Sequence, residues 1–421
     1  MSQTRDLTAG DVEHAALNLR GVAAVTPLES SRALTSDVLG QVSLKCENLQ
    51  RSGSFKIRGA YHRISKLSAA ERAQGVVAAS AGNHAQGVAL ASQLMGIEAT
   101  IFMPSGAALP KVAATQGYGA KVVLSGRSVD DSLAAAIEYA GTHGGVFIHP
   151  FDHEDIIAGQ GTVGLEIFEQ APDADTIVVG VGGGGLLAGI ALVAKARAAA
   201  QGREIRVVGV QAKHAAAYPA SLAAGRPMQI SGGATMADGI AVGTPGAVPF
   251  SIVKELVDDV ITVEEESISR AMLLLQERAK LVVEPAGAVS VAALIEQPDR
   301  VAGAAPSAHT VAVLSGGNID PLLLLRVLRH GLSAAGRYMN LQVRVPDQPG
   351  NLVKLLDILA KSDANVLEIG HVRTGRSLTL DEVEIDLQLE TRGATHRTEV
   401  LAKLRRAGYM ATVIDADQPN R

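Results

Sequence analysis

Lys56 is the residue whose type and position most suggest chemistry in this chain of 421 residues. It follows a predicted strand, within the segment RSGSFKIRGA at positions 51–60. Ser54 is a candidate N-cap, which would place Phe55 and Lys56 in the first turn of a helix. The helix dipole disfavours an ammonium group there, so we expect a lowered pKa for Lys56. A lysine that loses its proton easily suits Schiff-base chemistry, although most first-turn lysines are solvated surface residues.

Three glycine-rich turns each follow an apolar strand and are predicted to open a helix. They are VVAASAGNHAQG at 76–87, IVVGVGGGGLLAG at 177–189 and VAVLSGGNIDP at 311–321. Such a turn presents unpaired backbone N–H groups and the positive end of a helix dipole, which favours an anion. Ligands of parallel sheets bind outside the carboxyl ends of the strands, so the three turns can face one crevice. The glycines at 182–185 would let N–H groups close around a phosphate, whereas a glycine run alone can be a flexible linker.

These residues require a scaffold of parallel sheets. Up to about residue 332, short β-branched runs alternate with alanine-rich helical stretches, which predicts an α/β fold with right-handed crossovers. We expect the strands to divide between two sheets, with the crevice where the sheets meet. The predicted strands are 42–47, 76–80, 99–103, 121–124, 146–149, 177–181, 206–210 and 310–314, and predicted helices include 85–95, 128–140 and 156–170.

Composition limits the class of protein. The net charge is −5 and no basic block is present, which argues against nucleic-acid binding. Cys46 is the single cysteine, so no intrachain disulfide can form and a reducing cytosol is the expected compartment. The N-terminal residues lack the apolar core of a signal peptide, and no apolar run reaches the ~20 residues of a membrane span. We therefore expect a soluble, cytoplasmic protein with no membrane partner.

The pattern changes after a small-residue segment at 331–338, which we interpret as a linker. Leu341, Val343 and Val345 alternate with polar residues, which predicts a half-buried strand. A helix, a strand, a turn at 374–376, a second period-two strand, a helix and a last strand complete the order βαββαβ. This ferredoxin-like order, with DQPG before its first helix, resembles the ACT domain, a small-molecule sensor common on amino-acid enzymes. A bare dimerisation module without a ligand is the alternative.

Four motifs carry a second resemblance. SGSFKIRGA, SAGNHAQG, VGGGGLLAG and SGGNID stand in the same order as in the pyridoxal-phosphate-dependent threonine dehydratases of the tryptophan-synthase-β fold type. The resemblance covers about residues 6–330, and with the C-terminal segment the chain looks like the bacterial threonine ammonia-lyases with a single ACT domain. It implies a two-lobed, fold type II catalytic domain at 1–330, with a small lobe at about 55–150. The linker would occupy 331–338 and the ACT-like domain 339–416.

The resemblance also implies site residues and a cofactor, pyridoxal 5'-phosphate. Lys56 would bond the cofactor covalently and then remove the Cα proton of the substrate. Asn83 would bond the phenolic oxygen of the ring and Ser315 would face the ring nitrogen, while His84 is either catalytic or a supporting hydrogen-bond partner. Ser315 could equally be a helix N-cap. The cofactor-binding set is Lys56, Phe55, Asn83, Gly182, Gly183, Gly184, Gly185, Leu186 and Ser315, and the substrate-binding set is Ser80, Ala81, Gly82, Asn83 and His84.

The expected reaction is elimination of water from L-threonine, and more slowly from L-serine, to give 2-oxobutanoate or pyruvate with ammonia. A serine hydroxyl, unlike a carboxylate, does not keep the ring nitrogen protonated, which favours elimination. Ala81 stands where related serine racemases carry a second proton-transferring serine, which argues against racemisation. A racemase-dehydratase and a non-catalytic amino-acid sensor are the alternatives.

Weaker matches complete the expectations. Glu166 and the stretches at 160–162, 236–239 and 284–287 would be scaffold, with Glu284 and Asp238 either near the cofactor or on the surface. Gln211 stands where racemase-like relatives have a cation-binding glutamate, so no metal site is predicted. We expect a homo-oligomer, a dimer or a tetramer. The ACT-like domain is expected to bind a branched-chain amino acid, with isoleucine as the first candidate.

Overall fold

The computed structural model describes residues 7–373 and 378–414. These residues form two compact units that divide between Pro321 and Leu322. The turn predicted at 374–376 lies outside the described residues, as do positions 1–6 and 415–416 of the predicted domains.

The first unit contains ten strands and thirteen α-helices among its described residues. The strands are β1 (Leu28–Ser30), β2 (Gln41–Lys45), β3 (Val76–Ala79), β4 (Ala99–Met103), β5 (Lys121–Leu124), β6 (Val146–Phe147), β7 (Thr176–Gly180), β8 (Arg206–Ala212), β9 (Asp259–Val263) and β10 (His309–Val313). The helices are α1 (Ala9–Asn18), α2 (Lys56–Ser65), α3 (Ala69–Gln74), α4 (Asn83–Met95), α5 (Leu109–Gly117), α6 (Val129–His143), α7 (Glu154–Gln170), α8 (Gly185–Gln201), α9 (Ala217–Ala224), α10 (Ala247–Leu256), α11 (Glu265–Leu274), α12 (Pro285–Glu296) and α13 (Pro298–Ala302).

Two sheets organise this unit. The larger has the strand order β1-β2-β10-β7-β8-β9 and is parallel except for β1, which pairs antiparallel with β2. The smaller has the order β5-β4-β3-β6 and is parallel throughout. The predicted α/β fold with parallel sheets is therefore confirmed. The first glycine-rich turn follows β3 in the smaller sheet, whereas the other two follow β7 and β10 in the larger one.

Burial explains why the central strands are apolar along their whole length. Every residue of β7 and of β10 is buried, as expected for strands of a parallel sheet covered on both faces. Helices α7 and α8 pack so closely that a Cβ on Gly189 would lie 2.5 Å from the Ile157 carbonyl oxygen. The smaller sheet has a separate core, in which Ile57 and Ile64 of α2 pack with Ile101 and Met103 of β4.

Several local details differ from the prediction. The third turn does not open a helix, because residues 316–320 form an extended loop against Gly53 and the next helix begins only at Pro321. Strand β2 ends at Lys45 rather than 47, because a 3-10 turn starts at Glu47. Strands β1 and β9 were not predicted.

The second unit contains helix α14 (Pro321–Ala334, whose first residue belongs to the first unit), β11 (Tyr338–Pro346), α15 (Asn351–Ala360), β12 (Asn365–Val372), β13 (Glu382–Glu390), α16 (Ala394–Arg406) and β14 (Ala411–Ile414). Its antiparallel sheet has the order β12-β13-β11-β14. The order βαββαβ matches the pattern expected from β11 onwards. The expected linker is helical up to Ala334, and the chain leaves the helix before Gly336, whose φ is +67°. No helix of the described ranges has the length and apolarity needed to cross a membrane.

Candidate active site

A cavity of about 780 Å³ opens at the carboxyl ends of β3, β7 and β10, and so joins the two sheets of the first unit. The structure brings together around it all the site residues named from the sequence. They are Phe55, Lys56, Ser80, Ala81, Gly82, Asn83, His84, Gly182, Gly183, Gly184, Gly185, Leu186 and Ser315. The cavity also has lining residues that the sequence argument did not single out, among them Lys111, Leu133 and Gln229.

Lys56 is the first residue of α2, and its amine lies inside the cavity. The N-cap is Phe55, not Ser54 as predicted. Ser54 is extended and bridges to Gly316, which takes it out of capping position, and its buried hydroxyl has no hydrogen-bond partner among the described residues. The Lys56 Nζ donates to the Pro150 carbonyl oxygen at 2.9 Å. Burial lowers the pKa of Lys56 to about 8, against an opposing effect of the Glu284 carboxylate. The pKa of Lys56 is therefore lowered, as predicted, and burial is the main cause.

The loop after β3 leads directly into α4. Asn83 begins that helix, and its side chain accepts a hydrogen bond from Asn318 Nδ2 at 2.8 Å. His84 is 3% exposed, and its Nε2–H donates to the Ile148 carbonyl oxygen at 2.8 Å. Burial lowers the pKa of His84 to about 3, with a further contribution from Lys56, so its ring is neutral near neutral pH. These contacts favour the supporting role for His84 over the catalytic one.

The glycine run fits an anion better than it fits a linker. Residues 181–184 connect β7 to α8, and Gly184 has a φ of +100°. A Cβ on Gly183 would overlap the ring of Phe151, and one on Gly184 would overlap the hydroxyl of Tyr218. Within residues 7–373 and 378–414, no atom accepts a hydrogen bond from the N–H groups of Gly182, Gly183 or Gly184. These N–H donors at the start of an apolar helix are suited to a phosphate group.

Glu284 is the buried carboxylate among those that line the cavity, at the N-cap of α12. It is 4% exposed and accepts a hydrogen bond from Asn83 Nδ2 at 2.5 Å. Burial, with the nearby charge of Asp238, raises the pKa of Glu284 to about 7. The surface alternative for Glu284 is therefore wrong, whereas Asp238 is largely exposed.

Lys111 of α5 pairs with Asp238 across the cavity, at 3.0 Å. This ion pair joins the side of the cavity formed by the smaller sheet to the side formed by the larger one. Lys111 also lies beside the loop that follows β3, 3.8 Å from where a Cβ of Gly82 would be. No motif marks Lys111 in the sequence, because its partner is 127 residues away.

Ser315 lies just after β10 and is 5% exposed. Among the described residues, its hydroxyl makes a single long hydrogen bond, 3.5 Å, to the Ala286 carbonyl oxygen. The N-cap alternative for Ser315 is wrong, because the helix that follows it begins only at Pro321. The hydroxyl therefore remains able to bond a group in the cavity.

A buried ionic network supports the helix that carries Lys56. Arg58 bonds Glu47 at 2.8 Å and Glu166 at 2.7 Å, and Lys45 bonds Glu166 at 2.6 Å. These groups tie α2 to β2 and α7, so Glu166 is scaffold, as expected. The sequence argument missed Arg58, although it stands two residues after Lys56. No group of three or more His, Cys, Asp or Glu side chains in the described part of the chain is arranged to hold a metal ion.

Comparison with known proteins gives consistent matches. Residues 19–316 match the family described as pyridoxal-phosphate dependent enzyme. The L-threonine ammonia-lyase of Thermotoga maritima is 44% identical over 97% of this chain and 100% of its own length. The catabolic L-threonine dehydratase TdcB of Escherichia coli K12 is 43% identical over 74% of this chain and 92% of its own. The structure of maize serine racemase, 35% identical, superposes with a TM-score of 0.72 over 78% of this chain and 99% of its own.

Proposed function

The chain belongs to the family of pyridoxal-phosphate-dependent enzymes, and we propose that it is a threonine ammonia-lyase. It would convert L-threonine to 2-oxobutanoate and ammonia, and L-serine more slowly to pyruvate and ammonia. The first of these reactions is the initial step towards isoleucine. The observation that carries the proposal is that the Lys56 amine, the loop of Ser80–His84 and the unpartnered glycine N–H groups all face one cavity.

The residues present fit the cofactor. The glycines at 182–185 and the start of α8 would hold its phosphate, Lys56 its aldehyde carbon, and Phe55, Asn83 and Ser315 its ring. When bound, pyridoxal phosphate accepts the electron pair that is left when the Cα–H bond of the substrate breaks.

The protein itself would supply binding and proton transfer. The substrate carboxylate would bind at the loop of residues 80–84, where the N-terminus of α4 favours a negative charge. Lys56, with its pKa lowered to about 8, has a larger share of neutral amine near pH 7 than a solvated lysine. It would act as the general base that takes the proton from Cα. A general base is most effective when its pKa lies close to the operating pH.

Elimination is preferred over racemisation because of Ala81. Racemisation needs a second group that gives a proton to the opposite face of Cα, and a methyl side chain cannot do so. The likeness to maize serine racemase keeps a racemase-dehydratase as the second candidate. A non-catalytic sensor is disfavoured because Lys56, Asn83, the glycine run and Ser315 are all present around the cavity.

We further propose that the second unit is an ACT domain that binds a branched-chain amino acid, with isoleucine as the first choice. The support is its order βαββαβ and its sheet order β12-β13-β11-β14, which is that of a ferredoxin-like fold. Isoleucine would regulate the catalytic unit of a cytoplasmic homo-oligomer, a dimer or a tetramer.

The test is the production of keto acid from L-threonine and from L-serine by the purified full chain with pyridoxal phosphate. The proposal expects 2-oxobutanoate from threonine at a higher kcat/KM than pyruvate from serine, and no product from Lys56→Ala. Threonine left unconverted by a protein that has bound its cofactor would overturn it.

A further inference from the structure

Two buried polar side chains lie behind the glycine run, outside the cavity. Gln211 is on β8 and Tyr218 is at the start of α9, and both are fully buried. Neither lines the cavity, and neither is used in the reaction proposed above. A buried amide and a buried phenol are costly unless they are hydrogen-bonded, so their partners indicate what they do.

Both side chains hold carbonyl groups of the segment that contains the glycines. Gln211 Nε2 donates to the Val181 carbonyl oxygen at 3.2 Å. The Tyr218 hydroxyl donates to the Gly183 carbonyl oxygen, also at 3.2 Å, and the same oxygen accepts from the Gly246 backbone N–H at 3.1 Å. Gln211 Oε1 in turn accepts from the Tyr218 backbone N–H at 2.9 Å, which connects the two side chains.

Holding these carbonyl groups also sets the direction of the N–H groups that follow. In a planar trans peptide, the C=O of one residue and the N–H of the next point in opposite directions. The described residues contain no cis peptide bond. Gln211 therefore fixes the direction of the Gly182 N–H through the Val181 carbonyl. Tyr218, together with the Gly246 N–H, fixes that of the Gly184 N–H through the Gly183 carbonyl. Both carbonyls are turned away from the cavity, towards buried donors.

Glycine makes this support necessary. A run of four glycines has the widest choice of backbone conformations, and ordering it on ligand binding costs conformational entropy. Hydrogen bonds that hold the run in its binding conformation beforehand reduce this cost. Burial raises the pKa of Tyr218, so its hydroxyl keeps its proton and remains a donor at physiological pH.

We infer that Gln211 and Tyr218 are positioning residues that orient the Gly182 and Gly184 N–H groups towards the phosphate of the cofactor. The inference rests on the phosphate site proposed above. Neither residue touches the cofactor, and their effect is confined to the part of the cofactor that carries the phosphate.

The test compares two ligands that differ only in that group. The full chain, freed of cofactor, is titrated calorimetrically with pyridoxal phosphate and with pyridoxal. Tyr218→Phe removes the hydrogen bond to the Gly183 carbonyl while keeping most of the volume. Gln211→Met also keeps most of the volume, and it removes the hydrogen bond to the Val181 carbonyl and also the acceptor of the Tyr218 N–H. Loss of one such bond should raise the Kd for pyridoxal phosphate about tenfold, and the Kd for pyridoxal should stay unchanged.

Two variants serve as matched controls. Tyr139 is on α6 and packs between Phe102 and His143. Gln297 Nε2 donates to the Thr262 carbonyl oxygen. Tyr139→Phe and Gln297→Met should leave both dissociation constants unchanged.

A parallel rise of both dissociation constants in Tyr218→Phe would overturn the inference, because it would indicate general support of the cavity. No change in either constant would overturn it as well. Gln211 is fully buried on an interior strand of the sheet, and if Gln211→Met does not fold, Tyr218→Phe decides alone. No amino acid enters the measurement, so its outcome is independent of whether threonine is the substrate.

Discussion

The side-chain amide of Asn83 donates a hydrogen bond to Oε1 of Glu284 at 2.5 Å, although the two residues are 201 positions apart. Asn83 begins α4 beside the smaller sheet, and Glu284 caps α12 beside the larger one. The contact therefore joins the two sides of the cavity. Because burial raises the pKa of Glu284 to about 7, the proposed cofactor ligand Asn83 is held by a group that titrates near neutral pH.

Glu284 makes stability fall with rising pH. An ordinary glutamate loses its proton near pH 4.5, whereas Glu284 in the folded chain loses it near 7. Between these values the native state binds more protons, so the free energy of unfolding decreases as pH rises through the window. Urea unfolding of the cofactor-free chain between about pH 5 and 8 should show a weaker decrease for Glu284→Gln than for wild type. Glu255→Gln on an exposed face of α10 is the control, and equal slopes for wild type and Glu284→Gln would contradict the prediction.

Gly184 and Gly202 form a matched pair for the glycine run. Both have positive φ, +100° and +63°, but a Cβ on Gly202 meets open space and one on Gly184 overlaps the Tyr218 hydroxyl. Alanine at either position should cost about 1 kcal/mol of stability for the left-handed backbone. Only Gly184→Ala should also raise the Kd for pyridoxal phosphate, by more than about tenfold. An equal Kd for pyridoxal phosphate in Gly184→Ala and Gly202→Ala would show that the glycine run does not bind the phosphate.

Ala81 decides between elimination and racemisation. Wild type incubated with L-serine should form pyruvate and no D-serine, because the methyl side chain of Ala81 cannot give a proton to the opposite face of Cα. Ala81→Ser introduces a hydroxyl into the cavity lining and should form measurable D-serine by chiral chromatography. Ala199→Ser on the exposed face of α8 is the control. Substantial D-serine from wild type would favour the racemase candidate.

The second unit should carry the response to isoleucine. A chain that ends at Pro321, where the two units divide, should still deaminate threonine but should neither bind isoleucine by calorimetry nor respond to it. The Escherichia coli relative, which aligns over 92% of its length with 74% of this chain, supports the choice of a shorter chain. An unchanged response in the truncated chain would rule out the ACT assignment.

Local sequence pattern was sufficient for much of the fold. The strands predicted at 99–103 and 121–124 have the same bounds as β4 and β5, because alternating strand and helix signals are local. Capping at Ser54 failed because the contact with Gly316 outweighed the local signal. Residues 331–334 of the expected linker continue a helix, which their weak local pattern did not predict.

The motifs identified the residues that line the cavity but not the residues that hold them. The contacts of Asn83 with Glu284, of Lys111 with Asp238 and of Tyr218 with Gly183 join distant parts of the chain. Sequence spacing carries no information about such pairs, since they form only when the strands that position them are in place.

The most direct measurement is to reduce the holoenzyme with borohydride and to map the labelled peptide. The account predicts that the cofactor aldehyde carbon is bonded to Nζ of Lys56, and that Lys56→Ala carries no label. Lys111 is the other lysine among the described residues that line the cavity. A label on Lys111, or no label on wild type, would contradict the account.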